Sequence, residues 1–112
     1  MIKLDIEGAE VKALRGARGM LARDLPIVLV EVEPCHLGRQ GSRVEDLRHV
    51  LAPLGYEAYA IRADARLTTV AGPWQPPAEA SPNLVLAPAA RADRIARLSL
   101  DPPRRWVGSV RC

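Results

Sequence analysis

The chain has 112 residues, which is enough for one domain rather than two. Apolar residues make up 48%, a typical share for a globular protein, and no apolar run approaches the roughly 20 residues that a membrane-spanning helix needs. Lys3, Asp5 and Glu7 stand where a signal peptide would be apolar. We therefore expect a soluble, cytoplasmic protein with no membrane partner.

The net charge of +3 is unevenly placed along the chain. Residues 1–88 carry a net charge of −1, whereas residues 89–112 carry +4. A nucleic-acid-binding protein would show its basic residues across a folded face, so nucleic-acid binding by the arginine-rich tail is the weaker alternative to a solvated tail. We expect a domain over residues 1–98 and a basic, irregular tail over 99–112.

The two cysteines, Cys35 and Cys112, do not have the spacing of metal ligands. His36 and His49 are also too isolated in the sequence to form a metal site without further ligands. We expect no metal, and two reduced thiols, because cytosolic cysteines stay reduced.

Hydrophobic periodicity predicts alternating strands and helices. The predicted strands are Ile2–Ile6, Ile27–Val32, Tyr56–Ile61 and Asn83–Ala87, and the predicted helices are Ala9–Arg23, Val44–Leu54 and Ala90–Leu98. Ser42 and Glu45 match a capping box for the second helix. Gly38 to Gly41 and the Pro-rich segment Thr68–Pro82 are predicted loops. The alternation predicts an α/β fold, with about four strands, a parallel first part and flanking helices.

Acidic residues follow the first two predicted strands. Asp5 and Glu7 come after the first strand, and Glu31 and Glu33 close the second. Ligands of open α/β sheets bind beyond the carboxyl ends of the strands, and carboxylates held close together raise one another's pKa. The alternative is that Glu7 and Glu10 simply favour the start of the first helix, where the helix dipole attracts negative charge.

His36 follows the second predicted strand and could act as a general base near neutral pH. The alternative is a solvated loop histidine.

Five segments, in order, resemble the FkbM family of methyltransferases. The matching residues are Lys3, Asp5, Glu7, Gly8 and Glu10 of a Lys-x-Asp-x-Glu-Gly-x-Glu motif, Leu14 and Gly16, Pro26, Ile27 and Glu31, Leu54, Gly55 and Tyr56, and finally Asn83 and Pro88. The resemblance spans roughly residues 2–88.

This resemblance implies a class I methyltransferase fold, with a Rossmann-like sheet of which the chain supplies the fourth to seventh strands, the last inserted antiparallel. It implies S-adenosylmethionine as cofactor and a small-molecule substrate, commonly methylated on a hydroxyl of a sugar, polyketide or related metabolite. Asp5, Glu7 and His36 are then the candidate catalytic residues, and Glu31 and Glu33 the candidate substrate-binding residues. Asp5 would also lie near the cofactor.

The glycine-rich turn that holds the cofactor in this family has no counterpart, since no Gly-x-Gly occurs in the chain. We therefore expect a C-terminal half-domain that is truncated and inactive alone. Its first strand would present an unpaired edge. The alternative function is a non-catalytic interaction module that pairs through this edge with a missing N-terminal half or with a second copy.

Overall fold

The computed structural model describes residues 1–96 and 100–101 of the chain. The strands are β1 (Ile2–Leu4), β2 (Val28–Glu31), β3 (Tyr56–Ile61), β4 (Leu67–Thr69), β5 (Asn83–Pro88) and β6 (Leu100–Asp101). The α-helices are α1 (Glu10–Gly16), α2 (Arg18–Asp24), α3 (Pro34–Arg39), α4 (Val44–Leu51) and α5 (Ala92–Ala96). Short 3₁₀ turns follow α4, at Ala52–Leu54, and β5, at Ala89–Arg91.

The strands form one sheet in the order β1-β2-β5-β3-β4-β6. β1 and β2 are parallel, and β5 lies between β2 and β3, antiparallel to both. β4 is antiparallel to β3, and β6 is parallel to β4. The predicted α/β class is therefore confirmed, as is the antiparallel insertion of the fourth predicted strand.

The prediction of about four strands omitted β4 and β6. A tight turn brings β4 back against β3, since the backbone N–H of Arg62 donates to the carbonyl of Arg66 at 2.8 Å. The predicted loop over Thr68–Pro82 therefore begins two residues too early. β6 falls within the predicted tail, but residues 97–99 and 102–112 lie outside the described part of the chain, as does the predicted end of the last helix at Leu98.

The predicted helix Ala9–Arg23 is two helices. Ala17 separates α1 from α2, with a ψ of 8° that interrupts the helical backbone. Leu25 ends α2 in the left-handed conformation, just before Pro26. Leu14 of α1 and Leu21 of α2 are fully buried, whereas Ala13, Ala17 and Met20 are half-buried.

The segment after β2 forms a helix, α3, which extends into the predicted loop at Gly38. Pro34 occupies its first turn, where the fixed φ of proline favours a helix start and its missing N–H leaves no bond unmade. Leu37 anchors α3 in the core with 1% of its surface exposed. The sequence around Gly38 obscured this helix, because glycine is a poor helix former.

The predicted capping box is one residue out of place. The N-cap of α4 is Arg43, whose backbone N–H donates to Asp46 Oδ2 at 2.8 Å. Ser42 is instead buried, and its N–H donates to the carbonyl of Leu37 at 2.8 Å. Ser42 thus ties α4 to α3, and Asp46, rather than Glu45, satisfies the free backbone donor.

Most of the core lies on one face of the sheet, which we call the covered face. It holds side chains of β2, β3 and β5 packed against those of α1 to α4, namely Val11, Leu14, Leu21, Val28, Val30, Leu37, Leu47, Leu51, Ala58, Ala60, Leu84 and Leu86, among others. On the opposite face, Ile95 of α5 packs with Tyr59, Leu67 and Ala87. Within the described residues, no helix is long and apolar enough to cross a membrane.

Candidate functional site

Two carboxyl groups meet where β1 and β2 end. Leu4 of β1 pairs with Val30 of β2, so the parallel register brings the next residues, Asp5 and Glu31, to neighbouring positions. Their carboxyl groups are hydrogen-bonded to each other.

The pKa of Glu31 is raised above its ordinary value. The hydrogen bond with Asp5 is the largest cause, followed by burial and by the negative charges of Asp5 and Glu10. The positive charge of His36 acts in the opposite direction and lowers the pKa of Glu31. Glu31 therefore keeps its proton to a higher pH than an isolated glutamic acid would.

Glu10, the first residue of α1, belongs to the same cluster. Its side chain is only 2% exposed, and its Oε1 accepts a long hydrogen bond of 3.4 Å from the backbone N–H of Ile6. Its Oε2 is buried and has no hydrogen-bond partner among the described residues. We call Asp5, Glu10 and Glu31 the acidic edge.

Gly8 allows α3 to pack against the turn between β1 and α1. Its φ is +103°, and a Cβ at this position would lie 2.1 Å from the carbonyl oxygen of His36. Only glycine combines this backbone conformation with so close an approach. Gly8 therefore places the N-terminal half of α3, with His36, beside the acidic edge.

His36 is half-buried in α3, not in a loop as predicted. The residue before it, Cys35, is disulfide-bonded, so the expectation of a reduced thiol is wrong for this residue. The other cysteine, Cys112, lies outside the described residues.

Glu7 and Glu33 lie near the acidic edge but are not among the groups that shift the pKa of Glu31. Glu7 is exposed in the turn after β1, with a φ of +51° that is unusual for a residue with a side chain. Glu33 is half-buried at the N-cap of α3, where its carbonyl accepts from the N–H of Leu37 at 3.0 Å. The structure thus joins Asp5 and Glu31, with His36 nearby, and leaves Glu7 and Glu33 outside the hydrogen-bonded pair.

Asn83 extends the polar row to a third strand. It opens β5 and pairs with Glu31 across the antiparallel ladder. Its side-chain Nδ2 donates to Ser81 Oγ at 3.3 Å. An amide at this place offers a neutral donor and acceptor beside the two carboxyl groups.

A cleft of about 380 Å³ lies elsewhere, on the outer side of α4. It is lined by Glu45, Arg48, His49, Ala52, Pro53 and Pro73. His49 is exposed there. Because the cleft includes no residue of the acidic edge, we do not assign the chemistry to it. No group of three or more His, Cys, Asp or Glu residues in the described chain is arranged to hold a metal ion.

Comparison with known proteins identifies the family. The sequence model of the methyltransferase FkbM domain matches residues 1–58, slightly more than half of the chain. The chain belongs to the FkbM methyltransferase family. Neither the curated proteins nor the solved structures yielded a match.

The matched region contains the whole acidic edge, together with Gly8 and His36. It ends within β3 at residue 58, so Asn83 and the antiparallel β5 lie beyond it. Membership of the FkbM family indicates methyltransferase activity and the use of S-adenosylmethionine in general. The resemblance stated from the sequence is therefore confirmed at the level of the family.

Sequence reasoning missed Glu10 as a member of the site. We noted it as a residue of the family motif and as an acidic residue at a helix start, where negative charge is ordinary, but not as a candidate site residue. Its burial was visible indirectly, since Glu10 lies one residue before Val11 and four before Leu14, both of which face the core. A charged residue so close to the buried stripe of a helix is a signal that could have identified it.

Proposed function

We propose that the chain provides the acceptor side of an S-adenosylmethionine-dependent methyltransferase site, which transfers a methyl group to a hydroxyl of a sugar, polyketide or similar metabolite. The hydrogen-bonded pair of Asp5 and Glu31 at the carboxyl edge of β1 and β2 is the observation that carries this proposal. It stands where ligands of open α/β sheets bind.

The charge of the acidic edge fits the cofactor, whose sulfonium is positive. Carboxylates stabilise a nearby cation, and Glu10 Oε2 is a buried oxygen without a partner among the described residues. When bound, S-adenosylmethionine would supply an electrophilic methyl group. Asp5 would lie on the cofactor side, whereas the glycine-rich turn typical of the family is absent from the sequence.

The pair of Asp5 and Glu31 could provide a general base, with the second carboxyl group beside it. The neighbouring Asp5 and burial raise the pKa of Glu31, whereas Asp5 is exposed to solvent. Asp5 would accept the proton that the acceptor hydroxyl releases as its oxygen gains the methyl group. Glu33 and Glu7 would contact the substrate from the rim, and His36 would assist as a second proton acceptor.

Titration of the isotopically labelled chain with S-adenosylmethionine, followed by NMR, tests this assignment. We expect weak binding, with shifts concentrated at Asp5, Glu31 and their neighbours, because the sequence contains no Gly-x-Gly turn of the kind that holds the cofactor in this family. Asp5→Asn should reduce these shifts, whereas Glu79→Gln, which alters an exposed loop carboxylate, should not. Shifts confined to the cleft on α4, or no shifts at all, would refute the assignment. Tight binding of S-adenosylmethionine would show that this chain does not need the glycine-rich turn to hold the cofactor.

The unpaired edge of β1 supports a second candidate function, a non-catalytic interaction module. β1 is the terminal strand of the sheet, and the apolar Met1 and Ile6 that flank it are 88% and 44% exposed. The N–H of Ile2 faces β2, where it donates to the carbonyl of Ile27, so the N–H of Lys3 faces outward. A strand from a missing half-domain or from a second copy could pair there.

Sedimentation equilibrium of the chain tests self-pairing. We expect a concentration-dependent dimer that Lys3→Pro abolishes, because proline removes the outward-facing N–H. Lys12→Ala, a change of an exposed lysine on α1, is the matched control. Circular dichroism of each variant shows whether the fold persists. A clean monomer at high concentration would exclude pairing between copies.

A further inference from the structure

Two cationic side chains and an amide lie together at the C-terminal end of α3. Lys12 of α1 donates from its Nζ to Oε1 of Gln40, the C-cap of α3, at 3.3 Å. Arg39, the residue before Gln40, is the last residue of α3. All three are exposed, and within the part of the chain that the structure describes neither Lys12 nor Arg39 has a carboxylate partner. We call Lys12, Arg39 and Gln40 the basic cluster.

The basic cluster offers the groups that recognise a phosphate. The planar guanidinium of Arg39 can donate two parallel hydrogen bonds to phosphate oxygens, and Lys12 adds a second positive charge. Because Oε1 of Gln40 accepts from Lys12, the amide is held in place and its Nε2 keeps donors for a ligand. The cluster therefore combines two cations with a neutral donor on one exposed surface.

Helix dipoles explain only part of this charge. A cation in the last turn of α3 interacts favourably with the helix dipole, which accounts for Arg39. Lys12, however, lies in the first turn of α1, where the dipole disfavours a cation. Arg15, one turn further along α1, adds another cation, and Asp46 offsets it only at 3.9 Å. Asp46 also accepts from the backbone N–H of Arg43, so positive charge remains in excess here.

One side of α3 connects the basic cluster with the acidic edge. Arg39 and Gln40 follow His36 by three and four residues, so the three positions share a side of the helix and lie about 5 Å apart along its axis. Gly8 holds the backbone of His36 against the turn after β1, beside the acidic edge. An anion bound at the basic cluster would thus lie about one helical turn from His36.

We propose that the basic cluster binds the phosphate of a phosphorylated acceptor, such as a sugar phosphate, whose hydroxyl lies at the acidic edge. The inference rests on the proposed function, because it names the class of substrate that the same site would take. Opposite charges at the two ends set the orientation of the substrate. The carboxylates of the acidic edge repel a phosphate, whereas Lys12 and Arg39 attract it.

Titration of the ¹⁵N-labelled full chain with glucose 1-phosphate, followed by NMR at neutral pH and about 0.15 M salt, tests the proposal. We expect amide shifts at Lys12, Arg39 and Gln40, with further shifts at His36. Inorganic phosphate should shift the basic cluster alone. Methyl glucoside, which has no phosphate, should bind about tenfold more weakly than glucose 1-phosphate or less tightly still.

Substitutions identify the groups that hold the phosphate. Lys12→Gln and Arg39→Gln should each raise the Kd for glucose 1-phosphate about tenfold, as expected for the loss of a charge-assisted hydrogen bond. Arg94→Gln, which removes an exposed arginine from α5, is the charge-matched control and should leave the Kd unchanged. Circular dichroism of each variant shows whether it is folded, and if one of the two cluster variants is not, the other decides.

Three results would overturn the proposal. Arg94→Gln might weaken binding as much as Arg39→Gln, which would indicate a response to net charge alone. Methyl glucoside could bind as tightly as glucose 1-phosphate, which would show that the phosphate is not recognised. Shifts from glucose 1-phosphate that leave His36 and the acidic edge unaffected would show an anion site that does not hold an acceptor.

The titration needs no S-adenosylmethionine, so the two proposals can fail separately. A chain that binds glucose 1-phosphate at the basic cluster but shows no shifts with the cofactor would refute the proposed function and keep the phosphate site. A chain that binds the cofactor at the acidic edge but not the sugar phosphate would keep the proposed function and refute a phosphorylated acceptor.

Discussion

The two faces of the sheet differ in how completely the chain covers them. On the covered face, Val30, Leu84 and Leu86 have no exposed surface, because helices α1 to α4 close over them. On the opposite face, at the end of the sheet formed by β1 and β2, Leu29 is only half-buried and Lys3 is exposed.

Alternation along the strands places the acidic pair with the opposite face. Asp5 follows Lys3 by two residues, and Glu31 follows Leu29 by two, so each shares the side of its strand with a residue that the helices do not cover. Glu10 begins α1, on the covered side, and is buried there. Most of the core and the hydrogen-bonded pair are thus on different faces, and changes to one should leave the other largely intact.

The largest expected effect lies where the covered face meets the acidic edge. Gly8→Ala should destabilise the fold by about 4 kcal/mol, from an unfavourable φ and from a clash with the backbone of His36. Gly38→Ala is the matched control, because nothing lies within 4 Å of its added Cβ and alanine favours the helix. Urea denaturation followed by circular dichroism measures both, and equal stabilities would contradict the close approach of α3.

Substitution of Leu84 in β5 and of Leu29 in β2 compares how much each face contributes to stability. Leu84→Ala on the covered face should cost about 3 kcal/mol, because the side chain is fully buried and leaves a cavity. Leu29→Ala on the opposite face should cost about 1 kcal/mol, in line with its partial burial. The same denaturation experiment applies, and a cost for Leu29→Ala as large as that for Leu84→Ala would show that the opposite face is covered in solution.

Tyr56 and Tyr59 of β3 allow the hydrogen bonds of their hydroxyl groups to be compared, with a smaller expected effect. The hydroxyl of Tyr56 donates to the carbonyl of Pro26 on the covered side, whereas that of Tyr59 reaches only the exposed Glu57, at 3.5 Å. Tyr56→Phe should therefore destabilise the chain by about 1 kcal/mol, because a part-buried carbonyl loses its donor. Tyr59→Phe should have a smaller effect on the thermal midpoint, and the reverse order would contradict this account.

The fold was largely predictable because its main strands are long apolar runs. β3 has the predicted bounds, and β2 and β5 differ from theirs by one or two residues. The misses have local causes: α3 contains a glycine that disfavours a helix, and β4 is a three-residue strand that forms only because the turn after Ile61 returns it to β3. Such short elements depend on tertiary contacts that no periodicity reports.

The candidate site was predictable only in part. The ends of β1 and β2 identify Asp5 and Glu31, because parallel strands bring their carboxyl ends to one edge. The strand ends do not show which of the nearby acids join the pair. Glu7 turns outward with a positive φ, whereas Glu10 turns inward with α1, and this choice depends on the turn that Gly8 makes.

The smallest expected effect is a change in how the free energy of unfolding varies with pH. Since the pKa of Glu31 is raised in the folded chain, the folded state binds its proton more tightly than the unfolded state. The resulting stability is fully present below the unfolded pKa and is lost as pH rises through the folded pKa. Glu31→Gln mimics the protonated form, so its stability relative to the wild type should increase as pH rises from about 3 toward 7.

Asp24→Asn is a control for this experiment, because its stability relative to the wild type should change with pH in the direction opposite to that of Glu31→Gln. Arg23 lowers the pKa of the exposed Asp24 through a hydrogen bond, so the stability that Asp24 contributes is present above its unfolded pKa and is lost as pH falls. Relative to the wild type, Asp24→Asn should therefore gain stability on acidification, and Glu31→Gln should lose it. Urea midpoints measured across the pH range would give the two differences. A difference between Glu31→Gln and the wild type that stays constant with pH would show that the folded chain does not hold the proton of Glu31 more tightly than the unfolded chain, which would contradict the raised pKa of Glu31.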